Sequence, residues 1–343
     1  MSALVSVKGP HARNGHNDSI RIQWNMGNNC NYNCEYCPTI LHDGSRPWLA
    51  TDTYLSAIDK ICQHYKNKNK RVDFELIGGE VTVIPRFDQI IERIHSYSGY
   101  CTVFTNASRT VEWWSKAKHY IDNVILTFHP QTQDRAHFEA VINEIKEDVD
   151  ISINIAGVHG QIEGLSIWVE QLRTLFTDCN RNNYYNVSIC VKTLYTKLLG
   201  RASKQETYWQ YTGTESEILS RPGRKPKPVE PQESVAAPIN QPQESVVDTS
   251  MMTEFLYDDG TAEYVQNHQI IDKGMNCFKG MKCHIGFESL TIDATGEIYS
   301  SWCGAVKFGN VGHVDSLHLP EQLVECPFEH CNNISDIAIS KTA

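Results

Sequence analysis

The chain has 343 residues, with 31 basic against 41 acidic side chains and a formal net charge of −10. That balance speaks against a main task of gripping a nucleic-acid backbone, since such proteins are basic or carry a basic stripe. Apolar residues make up 41% and charged ones 21%, a composition that supports one large or two modest globular domains.

No run approaches the ~18–20 apolar residues of a membrane span. The opening MSALVSVKGP is a poor secretory signal, so the cytoplasm is the expected location. Two basic runs, at 66–71 and 221–228, read as solvated turn or linker.

From residue 20 to 200 the pattern alternates strand and helix. The apolar IRIQW of Ile20 to Trp24 predicts a first strand, and helical spacing of Leu55, Ile58, Ile61 and Cys62 predicts a helix from Thr51, its expected N-cap, to Tyr65. Strand Arg71 to Ile77 and helix Phe87 to Tyr97 follow, then strand Cys101 to Thr105 and helix Thr110 to Tyr120. Strand Asn123 to His129 precedes a helix around Ala136 to Glu147. Strand Asp150 to Ala156, helix Leu165 to Phe176 and a sixth strand, Asn186 to Leu194, complete the series.

Strands separated by helices imply a parallel sheet with right-handed crossovers. Functional groups in such sheets gather on loops leaving the carboxyl ends of the strands. Those loops hold NNCNYNCEYCP after strand one, GGE (Gly78 to Glu80) after strand two, TNAS (Thr105 to Ser108) after strand three, and His129 with Pro130 after strand four.

Beyond residue 200 the alternation stops. The stretch 221–248 is rich in Pro, Gln, Glu and Ser and contains PQESV twice, as a tolerant linker does. A compact second region is expected from about 250 to the end. Within it, Glu288 to Trp302 reads as two strands joined by a turn at Gly296, which would bring Cys283 and Cys303 together.

Twelve cysteines in a cytoplasmic chain point to metal rather than disulfides where they cluster. Cys62, Cys101, Cys179 and Cys190 stand alone in apolar segments and read as small core residues. Cys30, Cys34 and Cys37 form one cluster; Cys277, Cys283, Cys303, Cys326 and Cys331 form another. Zinc or an iron–sulfur cluster satisfies closely set thiolates. Zinc would want a fourth ligand, and His42 is the nearest downstream histidine. A four-iron cubane on three cysteines keeps one iron open for chemistry.

The spacing of Cys30, Cys34 and Cys37, with Tyr36 just before the last, together with GGE after strand two, resembles the signature of radical S-adenosylmethionine (radical SAM) enzymes. The resemblance implies an α/β fold: a partial (β/α)6 TIM-like barrel of parallel strands with a small C-terminal Twitch-like auxiliary cluster domain. It implies a [4Fe–4S] cluster on Cys30, Cys34 and Cys37 whose open iron takes S-adenosylmethionine. Gly78, Gly79 and Glu80 match the loop that meets the methionyl amino group, and Tyr36 the residue near the adenine. Thr105 and Asn106 match a polar pair facing the ribose or methionyl part. Val81 stands where many members have proline.

Cysteine, hairpin, cysteine, GNV and a cysteine pair resemble the SPASM/Twitch auxiliary domain. The resemblance implies a second [4Fe–4S] cluster on four of the five C-terminal cysteines, with a zinc ribbon as the alternative. The expected layout is residues 1–19 as an N-terminal extension, 20–200 as the barrel, 201–250 as a disordered linker, and 251–343 as the auxiliary domain.

The implied activity is reductive cleavage of S-adenosylmethionine to a 5′-deoxyadenosyl radical that abstracts hydrogen from a peptide or protein. Nucleotide, sugar or cofactor-precursor substrates are the alternative, and a non-catalytic iron–sulfur or zinc protein is the alternative of another class. A one-electron donor such as flavodoxin or ferredoxin is the implied partner, with neither nucleic acid nor membrane. His129, Lys192 and Tyr195 are further candidates for substrate contact, and His284 and His313 for contacts around the second cysteine group.

Overall fold

A computed structural model describes residues 2–15, 18–176, 188–194, 209–220 and 249–343. The chain opens with β1 (Leu4–Lys8) and α1 (Pro10–Arg13). The predicted alternation then runs β2 (Ser19–Asn25), α2 (Thr51–Lys66), β3 (Arg71–Ile77), α3 (Phe87–Ser96), β4 (Tyr100–Thr105) and α4 (Val111–Ala117). It continues through β5 (Asn123–Phe128), α5 (Arg135–Ile145), β6 (Asp150–Ala156), α6 (Ile162–Thr174) and β7 (Ser188–Lys192). Neighbouring strands from β2 to β7 all pair in parallel and in chain order. The six strands are therefore an open curl of βα units, the partial barrel expected from the sequence.

The strands alternate more sharply than sequence runs such as RVDFELI suggest. Ile20, Ile22, Trp24, Val72, Phe74, Leu76, Val103, Val124 and Leu126 are buried with the helices in one core. Trp24 anchors that layer, its ring 5.4 Å from Tyr54 of α2 and 6.3 Å from Phe74. The opposite face carries Gln23, Glu75, Asn123, Thr127, Ser152 and Asn154, all half-buried. On it Gln23 Nε2 donates to Glu75 Oε2 at 2.9 Å.

Helix α2 starts one residue away from its expected cap. Ala50, in extended conformation, occupies the cap position, while Thr51 Oγ1 donates to Pro85 O at 2.8 Å. The threonine ties the helix to the loop after β3 instead of to its own first turn.

The remaining elements are α7 (Gly213–Ser220), β8 (Thr253–Tyr257), β9 (Ala262–Val265), α8 (Asn267–Asp272), β10 (Lys282–Cys283), β11 (Ser289–Ile292), β12 (Glu297–Tyr299), β13 (Lys307–Asn310), β14 (Val324–Glu325), α9 (Ile334–Ile337) and β15 (Lys341–Thr342). The predicted hairpin is β11–β12, with Gly296 at φ +84° in its turn, a conformation that suits a residue without Cβ. Its placement was not predicted. β11 pairs in parallel with β2, Ile292 opposite Trp24, so β11–β13 extend the barrel sheet to nine strands. Leu290, Ile292 and Ile298 accordingly share the barrel core.

The first residues belong to the C-terminal region in space. β1 lies between β8 and β15 in a six-stranded sheet, where Val7 joins Phe255, Phe278 and Ile337 in a second core. Residues 209–220, inside the expected linker, include α7, and Glu215 of that helix is buried. Cys62 and Cys101 are buried core residues as expected; Cys179, Tyr195 and both PQESV copies lie outside the described residues.

Candidate active site

The loop after β2 is held open by one asparagine. Asn28 is buried, and its Nδ2 donates to Ile40 O, Asp43 Oδ1 and Ser45 Oγ at 2.7, 2.6 and 3.1 Å, while Oδ1 accepts from Arg46 N at 2.8 Å. The side chain supplies the backbone contacts that a loop this long lacks internally.

GGE locks against the same loop. Gly79 N donates to Gly27 O, and Glu80 N donates to Asn29 O. A Cβ on Gly79 would stand 2.2 Å from Asn29 O, and one on Gly78 2.6 Å from Gly27 O. The two glycines are thus required by backbone packing against the cysteine loop.

The Glu80 carboxylate turns inward, 1% exposed. Its Oε1 accepts from Thr82 N, Thr82 Oγ1 and Thr105 Oγ1 at 3.1, 2.6 and 2.7 Å, and Oε2 accepts from Asn106 N at 2.6 Å. Burial pushes its carboxyl above the usual range against those hydrogen bonds. The acid is a buttress joining the ends of β3 and β4. Asn106 carries the link onward, Nδ2 donating to Asn31 Oδ1 at 2.9 Å and its carbonyl accepting from Gln133 Nε2 at 2.5 Å. Gln133 Oε1 in turn accepts from His129 N at 3.1 Å. Glu80, Thr105 and Asn106 therefore meet at one rim with the cysteine loop.

Cys34 is buried and Cys30 and Cys37 are half-buried. Burial pushes Cys37 up to about 11, with the Cys34 and Cys30 thiols raising it further. Cys30 is raised by burial, and also by Glu80 and Cys34. Three thiolates that repel one another and share a half-buried rim fit a cationic iron–sulfur cluster, whose charge would offset both costs. Among the described residues no three Cys, His, Asp or Glu side chains converge on a single-ion site. A cubane asks for one thiolate per iron, so its ligands need not converge on a point.

An aromatic wall stands beside the thiols. Tyr36 stacks on His129 with rings 6.0 Å apart and 7° from parallel, and its hydroxyl is hydrogen-bonded to His129 Nδ1 at 2.8 Å. His129 Nδ1 is also 3.5 Å from Cys34 Sγ. Burial lowers the imidazole to about 4, so His129 is neutral near pH 7. Lys192 is exposed.

Sequence reasoning missed the cover on this wall. Trp209 packs edge-on to Tyr36 at 5.7 Å, and Tyr211 Oη donates to Gly157 O at 2.8 Å. Glu215 clamps the segment: its carboxylate accepts from Gly160 N and Thr212 N at 2.8 and 2.9 Å and meets His159 Nδ1 at 2.8 Å. Thr212 and Glu215 form a local capping box that the sequence could have shown, but the bonds to His159 and Gly160 left no local signal because those residues lie after β6.

Burial pushes Glu215 up, but those hydrogen bonds outweigh it and carry the carboxyl down to about 2. A depressed carboxyl contributes stability above its unfolded value, lost as pH falls through the folded one. The docking of residues 209–220 should therefore hold above pH ~4.5 and fail toward pH 2. Glu215→Gln should release it at neutral pH, seen as faster hydrogen exchange across α7 with β2–β6 unchanged; equal exchange in both proteins would refute the clamp.

The second cysteine group also sorts itself. Cys283, Cys326 and Cys331 are buried and Cys303 half-buried, whereas Cys277 is exposed. Cys303 is pushed up to about 12 by burial, then by Asp336, with a smaller contribution from Cys283. Cys331 is raised to about 11 by burial, with Cys283 and Cys326 adding to it. Cys277 instead points to His330 Nδ1 at 3.2 Å. His284 pairs with Glu288 at 3.5 Å.

The model of the radical SAM superfamily matches residues 24–155, which hold the cysteine loop, GGE and the Thr105–Asn106 turn. The chain carries a radical SAM domain. It is accordingly an enzyme, and the cofactors of this superfamily are a [4Fe–4S] cluster and S-adenosylmethionine.

No curated protein matches the chain in sequence. Among solved structures the chain is similar to anSMEcpe with bound AdoMet, at 12% identity over 85% of this chain and 78% of that one, TM-score 0.44. It is also similar to SuiB of Streptococcus suis, at 14% identity over 88% and 66%, TM-score 0.47. BtrN in an open conformation shows 10% identity over 86% and 76%, TM-score 0.34. No helix among the described residues is long and apolar enough to cross a membrane.

Proposed function

We propose that this radical SAM enzyme holds its catalytic [4Fe–4S] cluster on Cys30, Cys34 and Cys37 and acts on a peptide or protein. The carrying observation is that the three thiols, the GGE loop and the Asn106 turn are bound into one rim. When bound, the cluster and S-adenosylmethionine supply one-electron reductive cleavage of the sulfonium.

The chain's own residues position that chemistry. Glu80 fixes the Thr105–Asn106 turn, so recognition of a methionyl ammonium falls to backbone carbonyls of the GGE loop, not to the carboxylate. Tyr36, stacked on His129 and covered by Trp209, offers an aromatic wall for an adenine. That cover also excludes water from the neighbourhood of Cys34.

The inner strand face supports the substrate class. Gln23, Asn123, Thr127, Ser152 and Asn154 give it amide and hydroxyl groups, which suit the alternating donors and acceptors of a peptide backbone. Cys283, Cys303, Cys326 and Cys331 are the proposed ligands of an auxiliary [4Fe–4S] cluster, and Cys277 is the spare. A one-electron donor of the flavodoxin or ferredoxin class completes the system. The cytoplasm is its proposed location.

Anaerobically reconstituted, dithionite-reduced protein should convert S-adenosylmethionine to 5′-deoxyadenosine and contain about eight irons under this ligation. Absence of 5′-deoxyadenosine from iron-loaded protein would sink the catalytic assignment. Accelerated turnover with peptides, and none with nucleotides or sugars, is the expected substrate response.

A further inference from the structure

Lys341 is a lysine without access to water, 1% exposed, at the edge of the second cysteine group. Its Nζ donates to Asp336 O, Ile337 O and Ile339 O at 2.9, 3.2 and 2.6 Å and sits 4.7 Å from the Phe278 ring centre. Three carbonyl acceptors call for three N–H donors, which only the ammonium form provides. Burying a lysine this way is costly unless its charge is compensated.

The strand register aims that charge. Lys341 lies directly opposite Cys283 in the antiparallel β10–β15 pair, and opposite residues share a face with Cβ atoms about 5 Å apart. On the Cys303 side lies a buried charge of the other sign: Asp336, 2% exposed, accepts from Cys303 N at 2.5 Å and Ser301 Oγ at 2.6 Å.

We infer that Lys341 is a fixed positive charge that sets the reduction potential of the auxiliary iron–sulfur centre, with Asp336 as its counterweight. This rests on the reading of Cys283, Cys303, Cys326 and Cys331 as that centre's ligands. One electron from an external donor takes the oxidised four-thiolate cluster, net charge −2, to −3; no bond forms or breaks. A buried ammonium stabilises the more negative state and a buried carboxylate opposes it.

The test is a redox titration followed by electron paramagnetic resonance on full-length chain carrying Cys30→Ala, Cys34→Ala and Cys37→Ala, so that only the auxiliary centre reports. Lys341→Met should lower the reduced-to-oxidised ratio at a set potential by about tenfold, equivalent to 59 mV for one electron. Lys341→Arg should keep the parent ratio, and Asp336→Asn should raise it. Lys341→Gln, which retains a donor for the carbonyls, serves if the methionine variant does not load iron. A neutral Lys341 variant that titrates like the parent would leave the lysine as a mere cap of α9 and overturn the inference. So would an unmoved Asp336→Asn. Parent protein without a cubane would instead refute the ligand assignment, an outcome read from iron and sulfide content before any titration.

Discussion

Glu80→Ala should cost about 4 kcal/mol of folding stability and abolish binding of S-adenosylmethionine together. The alanine leaves Thr82 N, Thr82 Oγ1, Thr105 Oγ1 and Asn106 N without their acceptor in a buried place. Each buried, unsatisfied donor costs about 1–3 kcal/mol, and the total is less than additive because water can enter the cavity. Glu80→Gln should cost about half as much, since its amide nitrogen confronts the Asn106 N–H and loses that bond only. Urea unfolding and calorimetric titration with S-adenosylmethionine measure the two effects. An alanine variant of parental stability that no longer binds the cofactor would make Glu80 a direct ligand and not a buttress.

The GGE motif was legible in the sequence, but the reason for its glycines was not. Spacing shows that small residues are present; only the approach of Asn29 O, 2.2 Å from a Cβ on Gly79, shows what requires them. Strands β2–β7 were legible because β-branched and aromatic residues recur between helical patterns.

The pairing of β11 with β2 had no such signal. It joins opposite ends of the chain, and a register between distant strands leaves no local periodicity. The same limit hid β1 in the C-terminal sheet and α7 on the rim, where Glu215 finds its partners after β6. The predicted hairpin singled out Cys283 and Cys303, but Cys277, Cys326 and Cys331 were equivalent in sequence. Burial, and the facing of Cys283 to Lys341, separates four from Cys277.

The other large effect expected is at Cys34. It is the most enclosed of the three thiols, 6% exposed, and the one that touches the aromatic wall through His129. Cys34→Ala removes a sulfur and little else, so folding stability should fall by only about 1 kcal/mol, the order of one buried methylene. Two thiolates do not retain a cubane whose third iron lacks a protein ligand. Iron should therefore drop from about eight to about four per chain, and 5′-deoxyadenosine formation should fall to the background of iron-free protein.

Cys277→Ala should change neither quantity, because its exposed thiol faces His330. Iron analysis and chromatography of the nucleoside product report both variants in parallel. If Cys34→Ala retains all its iron and its activity, the rim is not where the catalytic cluster is held. If Cys277→Ala loses half of its iron, the auxiliary ligands are drawn wrongly while the catalytic rim stands.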